Sequence, residues 1–204
     1  MSQLSKIKRK LQGQSFIGET FERQDLRSMS SYGSKWEKCK FIECKMSLAD
    51  MSVSSFIECE FQDCDMMLSG WARTQIRRSV FLSCNLEQAN FSGGVLEDVH
   101  FTECRLCYST FADATIRKVK FSFANLHGAD LRYIECHDAD YQHAVLWGAA
   151  IQANCNFFQA TFDERSIGLF AALLARVYPD GKTKEVLADL AKDHTKTVER
   201  LMAG

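Results

Sequence analysis

The 204-residue chain carries 25 Lys and Arg against 26 Asp and Glu, and 46% of its residues are apolar. This apolar fraction suffices for one substantial core, and the near-neutral charge excludes a strongly basic or strongly acidic protein. No run approaches the roughly 18 consecutive apolar residues of a membrane helix. The basic start at Met1 is not followed by the apolar stretch of a signal peptide. We therefore expect a cytoplasmic protein that does not bind membranes.

A five-residue repeat begins near residue 14. From Phe16, every fifth residue to Ile151 is large and apolar, with Ser31 as the single polar exception. Ala, Cys or Ser usually stands two positions earlier. A period of five fits neither the 3.6 of an amphipathic helix nor the 2 of a half-buried strand, so each repeat must contain a turn.

A second period, four repeats long, sorts the large residues into chemically uniform columns. One column is aromatic: Phe21, Phe41, Phe61, Phe81, Phe101, Phe121 and Tyr141. The next contains only Leu and Met: Leu26, Met46, Met66, Leu86, Leu106, Leu126 and Leu146. A 20-residue coil of four five-residue sides would stack each residue on its counterpart one coil away, about 4.8 Å along the axis. The two periods predict an all-β solenoid over residues 14–162, preceded by an N-terminal cap of residues 1–13.

The frame slips by one residue near Ile151. Cys155-Asn156-Phe157 and Ala160-Thr161-Phe162 restore the pattern one residue late. We interpret this slip as the last, irregular coil.

Asp or Asn often separates the small residue from the large one, as in Cys84-Asn85-Leu86 and Ala129-Asp130-Leu131. With this motif the chain resembles the pentapeptide-repeat protein family over residues 14–162. The resemblance implies a right-handed quadrilateral β-helix of about seven 20-residue coils, with no catalytic activity and no cofactor. The Cys-rich style is similar to the bacterial Qnr-like and MfpA-like group, which protects DNA gyrase and topoisomerase IV from quinolones or peptide toxins.

The resemblance implies two alternative functions. In the first, the rod binds a type II topoisomerase as a mimic of duplex DNA and gives antibiotic resistance, without binding nucleic acid itself. In the second, it is an interaction scaffold or effector that binds another protein, including another DNA-binding enzyme. The unbroken frame from Phe16 to Ile151 predicts a rod without the projecting loops of the Qnr type.

The five-residue pattern stops at Asp163, and apolar residues then recur at helical spacing. Pro179-Asp180-Gly181 predicts a turn between two helices. The apolar side of this segment, residues 163–204, contains Ile167, Phe170, Leu173, Leu174, Val177, Leu187 and Leu190. Because a solenoid leaves its last coil with an apolar end and unpaired strand edges, we expect the segment either to cap that end or to form a homodimer interface.

The nine cysteines suggest metal or redox chemistry at first sight. Four of them form one straight interior column: Cys44, Cys64, Cys84 and Cys104. Thiols in a straight row cannot converge tetrahedrally on one ion, whereas Cys packs well as a small buried group. Cys107 and His127 are an outward pair, and two ligands do not make a metal site. No catalytic constellation, phosphate-binding loop or metal-ligand set appears, so the sequence predicts neither an enzyme nor a metalloprotein.

Two outward surfaces are candidates for binding. Apolar residues expected to point outward beside the Leu and Met column are Leu48, Met67, Leu68, Tyr108 and Trp147. Such a group marks either a partner or self-association surface, or a region covered by the terminal segments. The face beside the aromatic column carries Glu22, Glu43, Glu60, Asp63, Glu103 and Asp140 and is the candidate acidic face. A third face, beside the Phe16 column, alternates in sign from coil to coil, which predicts mutual neutralisation.

Overall fold

Thirteen three-residue strands make up the regular structure of the described part of the chain. The computed structural model describes residues 11–151 and 156–158, and within them the chain forms strands and turns and no helix. The strands are β1 Ser15–Ile17, β2 Thr20–Glu22, β3 Lys35–Glu37, β4 Lys40–Ile42, β5 Ser55–Ile57, β6 Glu60–Gln62, β7 Gln75–Arg77, β8 Val80–Leu82, β9 Val95–Glu97, β10 His100–Thr102, β11 Thr115–Arg117, β12 Glu135–His137 and β13 Asn156–Phe158.

The strands stack in two parallel sheets. Eight form one sheet in the order β1-β3-β5-β7-β9-β11-β12-β13, and five form the other in the order β10-β8-β6-β4-β2. Partners lie four repeats apart in sequence, as in Phe16 opposite Trp36 and Phe41 opposite Phe61. The described residues therefore form a right-handed all-β solenoid of about six turns, counted from β1 to β12. The seventh expected coil extends into residues outside the described ranges.

Each coil has four sides of five residues. Side 1 has the central residues Phe16, Trp36, Phe56, Ile76, Leu96, Ile116 and Cys136. Side 2 holds the aromatic column, side 3 holds the Leu and Met column, and side 4 has the central residues Ser31, Met51, Trp71, Phe91, Phe111, Leu131 and Ile151. Every central residue from Phe21 to Ile151 is buried, and Phe16 packs half-buried against them. The core is thus one continuous column of side chains along the axis, as the five-residue period predicts.

The second inward position, two residues before the centre, accepts larger side chains than the sequence pattern indicated. Met29, Val99, Val119 and Ile134 are all buried there. Ile134 precedes Cys136, so the usual order of small residue and large residue is reversed on that side. The exchange conserves core volume, which close packing requires.

Hydrogen-bonded turns close sides 3 and 4. The central carbonyl accepts the N–H three residues later, at 3.1 Å for both Met46 with Ala49 and Phe91 with Gly94. The residue two after the centre, called the corner residue below, has a positive φ on every side, for example 59° at Leu48. This combination is a type II turn. The Asp or Asn before the centre stabilises it by accepting the N–H two residues on, as Asn90 Oδ1 does from Ser92 at 2.9 Å.

Ser31, the polar exception in the central frame, has a specific partner. It is fully buried, and its hydroxyl accepts the Trp36 Nε1–H at 2.8 Å. We predict that Ser31→Ala lowers the free energy of unfolding by about 1–3 kcal/mol, because the indole N–H loses its partner inside the core. Urea denaturation measures this change. In a Trp36→Phe background the same substitution should cost much less; an equal cost in both backgrounds would contradict the assignment.

The predicted frame slip is confirmed by the last strand pairing. Cys136 in β12 lies opposite Phe157 in β13, so this step is one residue longer than the steps between earlier strands. The predicted cap residues lie outside the described residues: Ile167, Phe170, Leu173, Leu174, Val177, Leu187 and Leu190. In the part of the chain that the structure describes, no helix is long and apolar enough to cross a membrane.

Candidate interaction surface

The structure separates the predicted apolar surface into two groups along side 3. The first, called the leucine cluster, consists of Leu48, Met67 and Leu68. Leu48 and Leu68 are corner residues of successive coils, and the Leu48 N–H donates to the Met67 carbonyl at 3.0 Å. Leu48 is 58% exposed and Leu68 is 42% exposed, whereas Met67 is half-buried. These three side chains form one apolar surface on two adjacent coils.

Tyr108 belongs to the second group, nearer the C-terminal end. Its hydroxyl lies 3.0 Å from His127 Nε2, and the two rings meet edge to face. A Cβ on Gly128 would lie 2.6 Å from the Tyr108 ring, so the absence of a side chain there lets the ring lie over the backbone. Trp147 occupies the position of His127 one coil further on and is 43% exposed.

Polar residues separate the two groups. Gln88 is the corner residue between Leu68 and Tyr108, and beside it Arg105 Nη2 pairs with Glu87 at 2.9 Å. The five residues predicted as one surface are therefore two surfaces with a charged strip between them.

The leucine cluster is held in an unfavourable backbone conformation. Leu48 and Leu68 have φ values of 59° and 58°. The left-handed region costs an L-residue with a bulky side chain roughly 1–2 kcal/mol, and both side chains remain exposed instead of gaining packing. Every corner residue of the rod shares this φ, so the exposure of the two leucines, and not their backbone conformation, distinguishes the cluster.

Basic side chains neutralise part of the predicted acidic face on side 2. Arg23 Nε donates to Glu43 Oε2 at 2.9 Å, and this hydrogen bond, with the charge of Arg23, lowers the pKa of Glu43. Lys40 Nζ lies 2.7 Å from Glu60. In each pair the two residues stand four repeats apart in sequence, which is one coil, so the signal for pairing was present in the sequence spacing.

The other acidic residues of side 2 differ in their surroundings. Glu22 lies 3.6 Å from Arg23, and Asp140 accepts the Gln142 N–H. Within the described ranges no Lys or Arg nitrogen lies within 4 Å of Asp63 or Glu103. Side 2 is therefore acidic at particular points and not along its whole length.

Side 1 shows the predicted alternation of charge, and the charges pair. Glu58 lies between Lys38 and Arg78 on neighbouring coils, at 3.9 Å and 2.9 Å. Arg77 pairs with Glu97 at 3.4 Å. The mutual neutralisation expected from the sequence is confirmed on this face.

The interior cysteines act as packing and hydrogen-bonding groups. The Cys64 thiol donates to the Phe41 carbonyl at 3.3 Å, and Cys44, Cys84 and Cys104 make the same contact on their own coils. All eight cysteines of the described residues are free. Within those residues no group of three or more His, Cys, Asp and Glu side chains is arranged to hold a metal ion.

The outward Cys107 and His127 do not form a catalytic pair. His127 bonds to Tyr108, while burial, followed by the charge of Glu87, raises the pKa of the Cys107 thiol. A raised pKa disfavours the reactive thiolate. An open depression of about 500 Å³ on side 4 is lined by Tyr32, Val53 and Arg73 among others, and contains neither Cys107 nor His127.

The family model described as "Pentapeptide repeat region" matches residues 34–111 and 54–131. The chain belongs to the pentapeptide-repeat family. No curated protein matches this pentapeptide-repeat protein.

Solved structures with similarity to this pentapeptide-repeat protein include trypsin-treated QnrB1, a plasmid-mediated fluoroquinolone resistance protein. That likeness has 16% identity and a TM-score of 0.41, and covers 83% of this chain and 92% of that one. Rfr23 from the cyanobacterium Cyanothece 51142 has 12% identity, a TM-score of 0.23 and coverage of 74% and 85%. HetL from Nostoc sp. strain PCC 7120, involved in heterocyst differentiation regulation, has 13% identity, a TM-score of 0.17 and coverage of 76% and 90%.

Proposed function

We propose that this pentapeptide-repeat protein is a non-catalytic binding protein whose ligand is another protein, and that the leucine cluster is its contact surface. The observation that carries the proposal is the pair of exposed residues Leu48 and Leu68, which with Met67 form one apolar surface on two adjacent coils. A cytoplasmic location is part of the proposal and fits the free thiols.

The surroundings of the leucine cluster fit an interface. On the coil before Leu48, Asp25 pairs with Arg27 at 2.7 Å. Asp65 Oδ1, on the coil of Leu68, accepts a hydrogen bond at 3.1 Å from Asn85 Nδ2 on the next coil. An apolar centre with a hydrogen-bonded polar rim is the usual anatomy of a protein interface. The backbone beneath is held by hydrogen bonds from the neighbouring coil, so little order has to be created on binding.

The test compares proteins that bind the wild type, the double variant Leu48→Ser/Leu68→Ser and the control Ile17→Ser. Ile17 is 68% exposed on side 1, at the N-terminal end of the rod. We expect specific partners to bind the wild type and the control and to be lost from the double variant, which should be at least as stable as the wild type. Retention of the same partners by the double variant would refute the proposed surface.

We also propose type II topoisomerases as the partner class to test first, with side 2 as the surface that would take the place of DNA. Support comes from the carboxylates of Asp63 and Glu103, which have no basic partner within 4 Å among the described residues. Carboxylates that are not neutralised by the rod itself are available to basic residues of a DNA-binding saddle.

A gyrase supercoiling assay at micromolar protein, with and without ciprofloxacin, tests this second proposal. We expect inhibition or drug protection with the wild type, and a reduction of at least tenfold in potency with Asp63→Asn/Glu103→Gln. The control Asp113→Asn removes a carboxylate from side 4 and should behave as the wild type. If the wild type neither inhibits nor protects, gyrase is not the partner, and the leucine-cluster proposal is unaffected.

A further inference from the structure

A second exposed apolar surface lies where sides 2 and 3 meet on the last two described coils. This surface, called the corner patch, consists of Phe123, His143, Val145 and Trp147. Phe123 is 61% exposed, Val145 47% and Trp147 43%. The His143 ring stacks on Phe123 with centroids 4.8 Å apart and planes 12° from parallel. A large part of three apolar side chains therefore faces outward on one corner.

The corner patch interrupts a polar pattern in two neighbouring columns. Before Phe123 and His143, the side 2 corner residues are Arg23, Glu43, Asp63, Ser83 and Glu103. Before Val145, the equivalent residues are Asp25, Lys45, Asp65, Asn85, Arg105 and Asn125. Before Trp147, they are Arg27, Ser47, Met67, Glu87, Cys107 and His127. Phe123 ends the polar pattern of its column on the last coil but one, and Val145 ends that of its column on the last, whereas the Trp147 column already contains Met67 and Cys107. Apolar residues that meet at one corner in this way indicate one covered surface instead of scattered exposed residues.

The backbone of side 2 changes on the same two coils. On earlier coils side 2 forms the strands β2, β4, β6, β8 and β10. On the last two it forms hydrogen-bonded turns, in which Phe121 and Tyr141 carbonyls accept the N–H groups of Ala124 and Ala144 at 3.0 and 3.1 Å. Phe123 keeps the positive φ of the corner position, 57°, and its ring is largely exposed.

We propose that the C-terminal segment, residues 163–204, folds back along the rod and packs its apolar side on the corner patch. The patch lies at the end from which the chain leaves the solenoid after β13, so the segment needs no long connection to reach it. The first expected helix, residues 163–178, would be about 24 Å long. This length exceeds the roughly 10 Å that two coils occupy along the axis. An amphipathic helix requires an apolar surface for its apolar side, and the patch supplies one.

This docking differs from a cap that covers only the end of the last coil. Leu173, Leu174 and Leu187 of the segment would contact the side of the rod, at the corner between sides 2 and 3. The competing occupant is the same surface of a second copy of the chain, and the two occupants differ in their dependence on protein concentration.

Tryptophan fluorescence of the full chain tests the proposal. Of the three Trp residues, Trp36 and Trp71 are buried, so the difference between wild type and Trp147→Phe reports on Trp147. We expect acrylamide to quench Trp147 at least threefold less than free N-acetyltryptophanamide, at all protein concentrations. The variant Leu173→Asp/Leu174→Asp should remove this protection, whereas the control Lys192→Glu should retain it.

A variant in the patch gives an independent reading. Phe123→Ser should raise the rate at which trypsin cleaves residues 163–204 by at least threefold, and Ile17→Ser, at the other end of the rod, should not. Two results would overturn the proposal: quenching of Trp147 as fast as the free compound in the wild type, or protection that appears only as protein concentration rises. The latter result would assign the patch to a second copy of the chain.

Discussion

Replacing Phe81 by Ala is expected to lower the free energy of unfolding by about 3–5 kcal/mol. Phe81 is fully buried near the middle of the aromatic column, with ring centroids 4.6 Å from Phe61 and 4.8 Å from Phe101. The substitution removes both stacked contacts and leaves a cavity between two rigid coils that cannot close around it. Guanidinium denaturation followed by circular dichroism measures the change.

Phe21→Ala is the matched control for this prediction. Phe21 lies at the N-terminal end of the same column, is 9% exposed and stacks on Phe41 alone within it. Because it has a stacked ring on one side only, its removal should cost clearly less than that of Phe81. Equal decreases in the free energy of unfolding for the two variants would show that the contribution of a ring does not depend on its position in the stack.

Alkaline pH is expected to destabilise the rod through its interior thiols. Burial is the main cause that raises the pKa of Cys59 to about 12. At Cys64 a hydrogen bond with Cys44 lowers the pKa, but a hydrogen bond with Cys84 and burial outweigh it and raise the pKa to about 12. An unfolded thiol titrates near pH 8.5, so the folded form holds its proton more tightly. The stability is fully present below about pH 8.5 and is lost as pH rises towards 12.

The expected loss is about 1.4 kcal/mol per pH unit for each such thiol above pH 8.5. Denaturation midpoints at pH 7.5, 9 and 10.5 measure it. The variant Cys59→Ala/Cys64→Ala keeps a small residue at each position, as Ala49 and Ala89 do elsewhere, and should show a shallower decline. An unchanged slope in that variant would assign the alkaline loss to other groups.

The sequence was enough to predict the core of this fold because its signal is repeated on every coil. The columns of large residues, the inward cysteines and the slip before Phe157 all follow from periods of 5 and 20. The same counting could have predicted the pairing of Arg23 with Glu43, since opposite charges four repeats apart meet on neighbouring coils.

Other features depend on local geometry that periodicity does not contain. Sides 3 and 4 turn while side 2 begins as strands. Asn90 stabilises the turn at Phe91, but the turns that follow Lys45 and Arg105 form without an Asp or Asn. The Tyr108 ring lies over Gly128, the same repeat position one coil further on, and its hydroxyl bonds to His127, a residue of a different repeat position. The division of the apolar surface, by contrast, could have been predicted by the same counting, since Gln88 and Glu87 follow Leu68 and Met67 in their columns.

The 20-residue register from Phe16 to Ile151 places equivalent residues of successive coils at equal distances along the axis. The leucine cluster and the corner patch are separated along the axis by whole coils, so loss or gain of one coil between them would change their spacing by about 4.8 Å without rotating either surface. An insertion that is not a whole number of coils would turn one surface relative to the other. Adding or removing whole coils would therefore change the distance between the protein bound at the leucine cluster and the segment packed on the corner patch in equal steps, while each stays on the same side of the rod.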